Sequence, residues 1–95
     1  MPRVERSNPA ENDLFSIAEY IARDNPSAAA QWLDEIEKKF NLLATQPLMG
    51  EAVDQIRKGL RRFTHGAYLI FYEPLPNGIA LIRILHGARQ IDNLL

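Results

Sequence analysis

The feature that most constrains this chain is a change of hydrophobic period near its middle. Up to Gln46-Pro47 the apolar residues recur every three or four positions, and beyond it they fall in short apolar runs bounded by turn residues. Helices therefore come first and strands follow. Asn8-Pro9-Ala10-Glu11 reads as a helix start, with Asn8 as N-cap, Pro9 at the first helical position and Glu11 reaching back. Leu14, Ile17, Ala18 and Ile21 then form one stripe, which predicts a helix from Pro9 to Arg23. Asn25-Pro26 repeats the punctuation, because a residue before proline avoids the helical region and asparagine caps the next helix. Ala29, Trp32, Leu33, Ile36, Phe40 and Leu43 make the second stripe, and Gln46-Pro47 ends it. So short a link permits only an antiparallel α-hairpin.

The later elements are read from turn chemistry. Pro47 to Gly50 is a turn, and His65-Gly66 is expected to turn a hairpin. Residues 55–64 hold Ile56, Leu60 and Phe63 among four basic residues and are read as the first strand of a meander. Ala67 to Glu73 is rich in aromatic and β-branched residues and fits a central strand, Pro74 to Gly78 is read wholly as turn, and Ile79 to His86 is a further strand. Arg3 to Ser7 adds a short N-terminal strand. At 95 residues the chain is expected to make one domain over 1–95. The fold class expected is α+β, with the α-hairpin packed on one face of an antiparallel sheet.

Composition narrows the chemistry. The chain is 46% hydrophobic and 24% charged, which argues against disorder, and no apolar run is long enough to span a bilayer. The N-terminal Met-Pro-Arg-Val-Glu-Arg lacks an apolar core, so no secretory signal is expected and the default location is cytoplasmic. With no cysteine, disulfides, thiolate zinc sites and cysteine nucleophiles are excluded, and no metal or cofactor is expected. No phosphate-binding glycine loop is present, and no serine has a credible histidine–carboxylate constellation.

The formal charge of −1 hides a division. Residues 1–54 carry five basic and ten acidic residues, and residues 55–95 carry six basic and two acidic ones. The basic half suggests a surface for anions or an acidic partner. Strict alternation puts Leu81, Arg83 and Leu85 on one strand face and Ala80, Ile82, Ile84 and His86 on the other. With helices covering the more apolar face, Arg83 is expected on an open face, where Arg61 would join it and Arg89 would follow just beyond. A salt bridge from Arg83 to Glu73 or Asp92 is the structural alternative. His86 is a possible general acid/base, a structural role being the simpler reading, and His65 is expected to be incidental in its turn.

Three segments carry a family resemblance. Ala10 to Ala29, Lys58 to Glu73 and Ile82 to Ile91, with the Pro-Leu-Met-Gly turn at 47–50, resemble in order the ParE branch of the RelE/ParE toxin superfamily. The resemblance implies the fold just described and a toxin of a bacterial type II toxin–antitoxin operon. It implies DNA gyrase as target, a ParD-like antitoxin as partner, and nucleic acid met only through gyrase or the antitoxin. RelE-like relatives are ribosome-dependent mRNA endonucleases, and that alternative would use Arg61, Arg83 and His86. The tyrosine that many of them carry near the C-terminus is missing here, since no tyrosine follows Tyr72. The gyrase-directed reading therefore leads, with no catalytic residue, with Arg61, Arg83 and Arg89 as toxicity residues, and with Phe15, Tyr20, Trp32 and Phe40 as antitoxin contacts. Ile91, Leu94 and Leu95 beside Arg89 make the C-terminal segment suited to gripping a partner.

Overall fold

A computed structural model describes residues 2–88 and 94–95. Strand β1 (Arg3–Arg6) leads into helix α1 (Asn8–Asp24) and helix α2 (Pro26–Thr45). Four strands follow: β2 (Glu51–Ala52), β3 (Arg61–His65), β4 (Tyr68–Leu75) and β5 (Gly78–His86). They form one sheet in the order β1-β5-β4-β3-β2. The last four strands are an antiparallel meander, and β1 lies parallel to β5, so the sheet is mixed.

The helix boundaries follow from where side chains find hydrogen bonds. Ser7, not Asn8, caps α1. Its hydroxyl accepts from the Ala10 amide at 3.1 Å and donates to the Ile82 carbonyl at 3.0 Å. That second bond ties the cap to β5, so the helix starts one residue early and Pro9 falls in its first turn. Asn25 is the whole link between the helices. Its amide closes α1 on the Ile21 carbonyl at 3.0 Å, and its side chain opens α2 by accepting from Ala28 at 3.1 Å.

Both faces of the sheet are covered. On the helical side Ala10, Leu14, Ile36, Phe40, Leu43 and Ala44 pack on Ile70, Tyr72, Ile79, Leu81 and Ile84. On the other side Val53, Leu60, Phe71 and Leu85 form a second cluster, with Ile56, Leu69, Ile82, Leu94 and Leu95 against it. The open face expected from the sequence is therefore absent over this area, because the segment between β2 and β3 folds back across it.

Two strand boundaries also differ from expectation. Pro74 and Leu75 belong to β4 and pair with Ile79 and Gly78. Strand β3 stops pairing at Arg61 opposite Tyr72, so at Pro74 one side of β4 is an edge where a missing N–H breaks no ladder bond. The β4–β5 turn is then only Pro76-Asn77, and the β3–β4 turn is Gly66-Ala67, with His65 still in its strand.

Gly78 lets β1 dock beside β5. Its φ is +155°, and a Cβ there would lie 1.9 Å from the Arg3 carbonyl oxygen. Gly78→Ala should therefore cost about 1–3 kcal/mol of strain and displacement, read as a lowered denaturant midpoint. An unchanged midpoint would mean that β1 adds nothing to the stability of the sheet.

Candidate functional site

A bulge decides where the alternation of β5 breaks. Tyr72 pairs with Leu81 but Phe71 pairs with Arg83, so Ile82 is an extra residue on β5. Leu81 consequently faces the helices, while Leu85 packs in the second cluster. The expectation that Leu81, Arg83 and Leu85 share one face fails at this point.

Arg83 is not an open arginine. Its Nε and Nη2 donate to the two carboxylate oxygens of Asp13 on α1 at 2.7 and 2.9 Å. Its Nη1 donates to the Leu94 carbonyl at 3.3 Å. The two side chains are only 21% and 13% exposed. Asp13 also accepts from the Ile84 amide at 2.9 Å, a group that β1, ending at Arg6 opposite Leu81, no longer reaches. Hydrogen bonding and the Asp13 charge raise the guanidinium pKa above its ordinary value against the opposing effect of burial. The partner is thus Asp13 on α1, while the Glu73 expected from nearby strand sequence pairs with Arg57 and Asp92 lies outside the described residues.

Arg61 has a different task. It shares the helical face with Phe63 and stands opposite Tyr72. Its Nη1 donates to the carbonyls of Leu48 and Gly50 at 3.1 and 2.6 Å. The phenol of Tyr72 donates to the Pro47 carbonyl and accepts from the Gly50 amide, both at 2.8 Å. Burial raises the phenol pKa, while the Gly50 amide and Arg61 act in the opposite direction. A Cβ at Gly50 would lie 2.5 Å from the phenol oxygen, so glycine is required for this seat. Tyr72 was not singled out from the sequence, although a tyrosine opposite a Pro-x-x-Gly turn is the signal that would have found it.

Arg61 and Arg83 therefore do not meet. They point from adjacent rows of the sheet into different surroundings, one onto the 47–50 turn and one onto α1. His86 lies farther along. It pairs with Tyr68, four residues from the Tyr72 row, which is about 13 Å at the strand rise. His86 is exposed and stacks edge-on with Tyr68 at 5.4 Å, and Trp32 stacks on Tyr68 at the same separation. His65 lies 6.2 Å from the Trp32 ring. Burial, helped by Lys39 and opposed by Glu35, lowers the His65 pKa. The three groups of the nuclease alternative are not assembled. Arg89 lies outside the described residues, as does Ile91.

The other described arginines are also engaged. Arg3 pairs with Glu5, Arg6 with Glu37, Arg23 with Glu19, Arg57 with Glu73 and Arg62 with Glu51. Arg6 additionally covers the Phe40 ring at 5.3 Å. No group of three or more metal-ligating side chains gathers among the described residues. No helix among them is long and apolar enough to cross a membrane.

The four expected antitoxin contacts divide. Phe15 and Tyr20 stand out from α1, 70% and 62% exposed. Trp32 is half-buried against Tyr68 and His65, and Phe40 is fully buried in the helical core, so Phe40 is no surface contact. Its position on the inward stripe of α2, under Arg6, explains the correction.

The described residues thus form a helical hairpin on a small mixed sheet, with a Pro-x-x-Gly turn pinned by Tyr72 and Arg61. The comparisons are specific. Residues 4–91 match the family model described as ParE toxin of the type II toxin–antitoxin system parDE. Toxin ParE3 of Caulobacter vibrioides is 30% identical over 92 residues, covering 96% of this chain and 92% of that protein. Toxin ParE1 of Mycobacterium tuberculosis is 34% identical over 65 residues, covering 67% of this chain and 66% of that protein. A chain of the solved chromosomal ParDE TA system from P. aeruginosa superposes with a TM-score of 0.74 at 19% identity, over 90% of this chain and 96% of that one, which shows a shared fold. The chain belongs to the ParE toxin family of type II toxin–antitoxin systems.

Two outcomes are expected from this geometry. Arg83→Ala leaves the Asp13 carboxylate largely buried without its guanidinium and should destabilise by about 3 kcal/mol, the lower end for breaking a buried pair. Asp13→Leu combined with Arg83→Met should recover part of that loss in urea unfolding, and equal midpoints for wild type and Arg83→Ala would remove the pair from the fold's supports. The second outcome concerns His65. Its folded pKa is lowered, so the unfolded chain binds the extra proton first as pH falls below about 6.5. Stability should therefore decline with falling pH from that point until the folded pKa is passed. His65→Gln should flatten that part of the profile, measured as thermal midpoint against pH.

Proposed function

We propose that this protein is a toxin that acts by binding DNA gyrase in the cytoplasm, without catalysis of its own, and that a ParD-like antitoxin neutralises it. Family membership makes a toxin of a parDE-type pair the starting point. The observation that carries the choice between targets is the commitment of Arg61 and Arg83 to other tasks. A ribosome-dependent nuclease needs basic groups gathered on one accessible surface, to hold RNA and stabilise developing charge. Here one guanidinium is closed on a carboxylate, the other holds backbone carbonyls, and His86 stands in a distant row. That arrangement favours recognition of a protein. Nucleic acid then enters only through gyrase or through the antitoxin.

The antitoxin reading rests on the outer face of α1. Phe15 and Tyr20 are the two most exposed aromatic side chains among the described residues, both outside the buried stripe of α1. Exposed aromatics of this kind are typical anchors for an amphipathic partner helix, with an extended segment continuing over the sheet. Arg89 remains a candidate for the toxic surface from the sequence reading.

The test is a supercoiling assay with purified gyrase beside a ribosomal mRNA cleavage assay. Inhibition or trapped cleaved DNA is expected in the first, and intact message in the second. Message cut in the ribosomal A site would replace this reading with the nuclease one. Phe15→Ala with Tyr20→Ala should weaken antitoxin binding about tenfold or more while leaving the circular dichroism spectrum unchanged. Arg89→Glu should lower gyrase inhibition and spare antitoxin affinity.

A further inference from the structure

The start of β1 is fitted closely against the turn from β4 to β5. The Asn77 carbonyl accepts from the Arg3 amide at 2.7 Å, and Arg3 pairs with Gly78. A Cβ on Gly78 would lie between 1.9 and 2.7 Å from the Arg3 carbonyl oxygen, amide nitrogen and carbonyl carbon. The fold therefore demands a glycine at 78, and that glycine follows an asparagine. In an Asn-Gly pair the second residue has no side chain to shield its backbone nitrogen from the asparagine amide, and its backbone bends more freely than any other.

The other described asparagines lack this opportunity. Asn8 and Asn25 precede Pro9 and Pro26, whose nitrogens carry no hydrogen. Asn12 and Asn41 lie inside α1 and α2, where the next amide is committed to the helical ladder. Asn77 is exposed, sits in a two-residue turn and directly precedes the first residue of β5. Gly78 faces Leu75 at the last rung of the hairpin, and terminal rungs open locally at little cost in free energy.

We infer that Asn77-Gly78 is a site of spontaneous deamidation and isomerisation, and that its isoaspartyl product undocks β1 from β5. The Gly78 nitrogen attacks Asn77 Cγ. An N–Cγ bond forms, the Cγ–Nδ2 bond breaks, and Nδ2 leaves as ammonia with the proton that the Gly78 nitrogen gives up. Water then opens the resulting succinimide, its hydroxyl going to a carbonyl carbon and its proton restoring an amide N–H. Breaking the N–Cγ bond gives aspartate. Breaking the bond from nitrogen to the Asn77 carbonyl carbon gives isoaspartate, in which the main chain runs through Cβ and Cγ and is one carbon longer. The former Asn77 carbonyl, the acceptor of the Arg3 amide, becomes a pendant carboxylate. A two-residue turn has no slack to absorb the extra carbon, and the contact between Gly78 and Arg3 leaves no room for it. The aspartyl product keeps the original backbone and leaves β1 in place.

The test ages the purified full chain at mildly alkaline pH, with urea-unfolded chain as the positive control for the chemistry. Trypsin then releases residues 63–83, which contain Asn77 and no other asparagine, aspartate or glutamine. Methyl transfer from S-adenosylmethionine by an isoaspartyl carboxyl methyltransferase therefore reports this position alone. Label should accumulate in that peptide from the folded wild type and be absent in Asn77→Ser. In the chromatographically purified isoaspartyl form the Arg3 amide should exchange with deuterium about tenfold or more faster, and the thermal midpoint should fall. Fresh Asn77→Asp should keep both close to wild type. A folded wild type that ages without label overturns the site. A labelled chain with unchanged Arg3 exchange overturns the undocking. Asn77→Asp that loses as much as the isoaspartyl form also overturns it, by giving the effect to charge instead of backbone length.

Discussion

The Asp13 carboxylate stands where one kind of structure hands over to another. Strand β1 supplies β5 with hydrogen bonds only as far as Leu81, and then the chain turns into α1. From there side chains take over the edge of β5. Ser7 bonds the Ile82 carbonyl, and Asp13 bonds the Ile84 amide and both prongs of Arg83. A carboxylate with three such donors is well compensated for its partial burial. It ties the first helix to β5 beyond the end of β1, next to the bond from Ser7 to the bulged Ile82. The arginine that looks most functional in the sequence is therefore part of the frame that sets the helical layer.

Tyr72 plays the corresponding part at the other end of the molecule. It is fully buried, yet its phenol finds one donor and one acceptor in a four-residue turn. A buried hydroxyl with both capacities used both fills the core and fixes the backbone above it. Arg61 completes the same turn from the next strand. The consequence for function is a division of labour among basic residues. Among the described residues the arginine charge is spread over local partners, while Phe15 and Tyr20 on α1 and Leu48 and Met49 on the turn stay exposed. Such features suit protein partners better than a polyanion.

Much of this was legible in the residues themselves, for reasons that are local. The helices follow from stripes of three and four, Asn25-Pro26 marks their junction because capping and proline sterics act within a few residues, and the strands follow from apolar runs between Gly and Pro turns. Even the family was recognisable, because ordered local segments carry it. Errors of one or two residues arose where a distant partner voted. Ser7 caps α1 instead of Asn8 because Ile82 offers its hydroxyl a second bond, and Pro74 stays in β4 because β3 has already stopped pairing there.

The roles of single side chains were decided only by the tertiary structure. Alternation places Arg83 on the same face as Leu85, as expected, but the bulge at Ile82 resets the count before it, so Leu81 turns to the helices and Ile82 to the other face. The partner of Arg83, Asp13, is 70 positions away, beyond the reach of any local pattern. Phe40 is a different case: the stripe of α2 already turns it inward, and packing under Arg6 leaves it fully buried and out of a partner's reach. The sequence by itself determined the order and type of the elements, since hydrophobic period, caps and proline sterics are short-range. Which arginines stay accessible, and which turn is rigid, depended on hydrogen bonds between groups far apart in the chain, and those exist only once the sheet and the helical hairpin have come together.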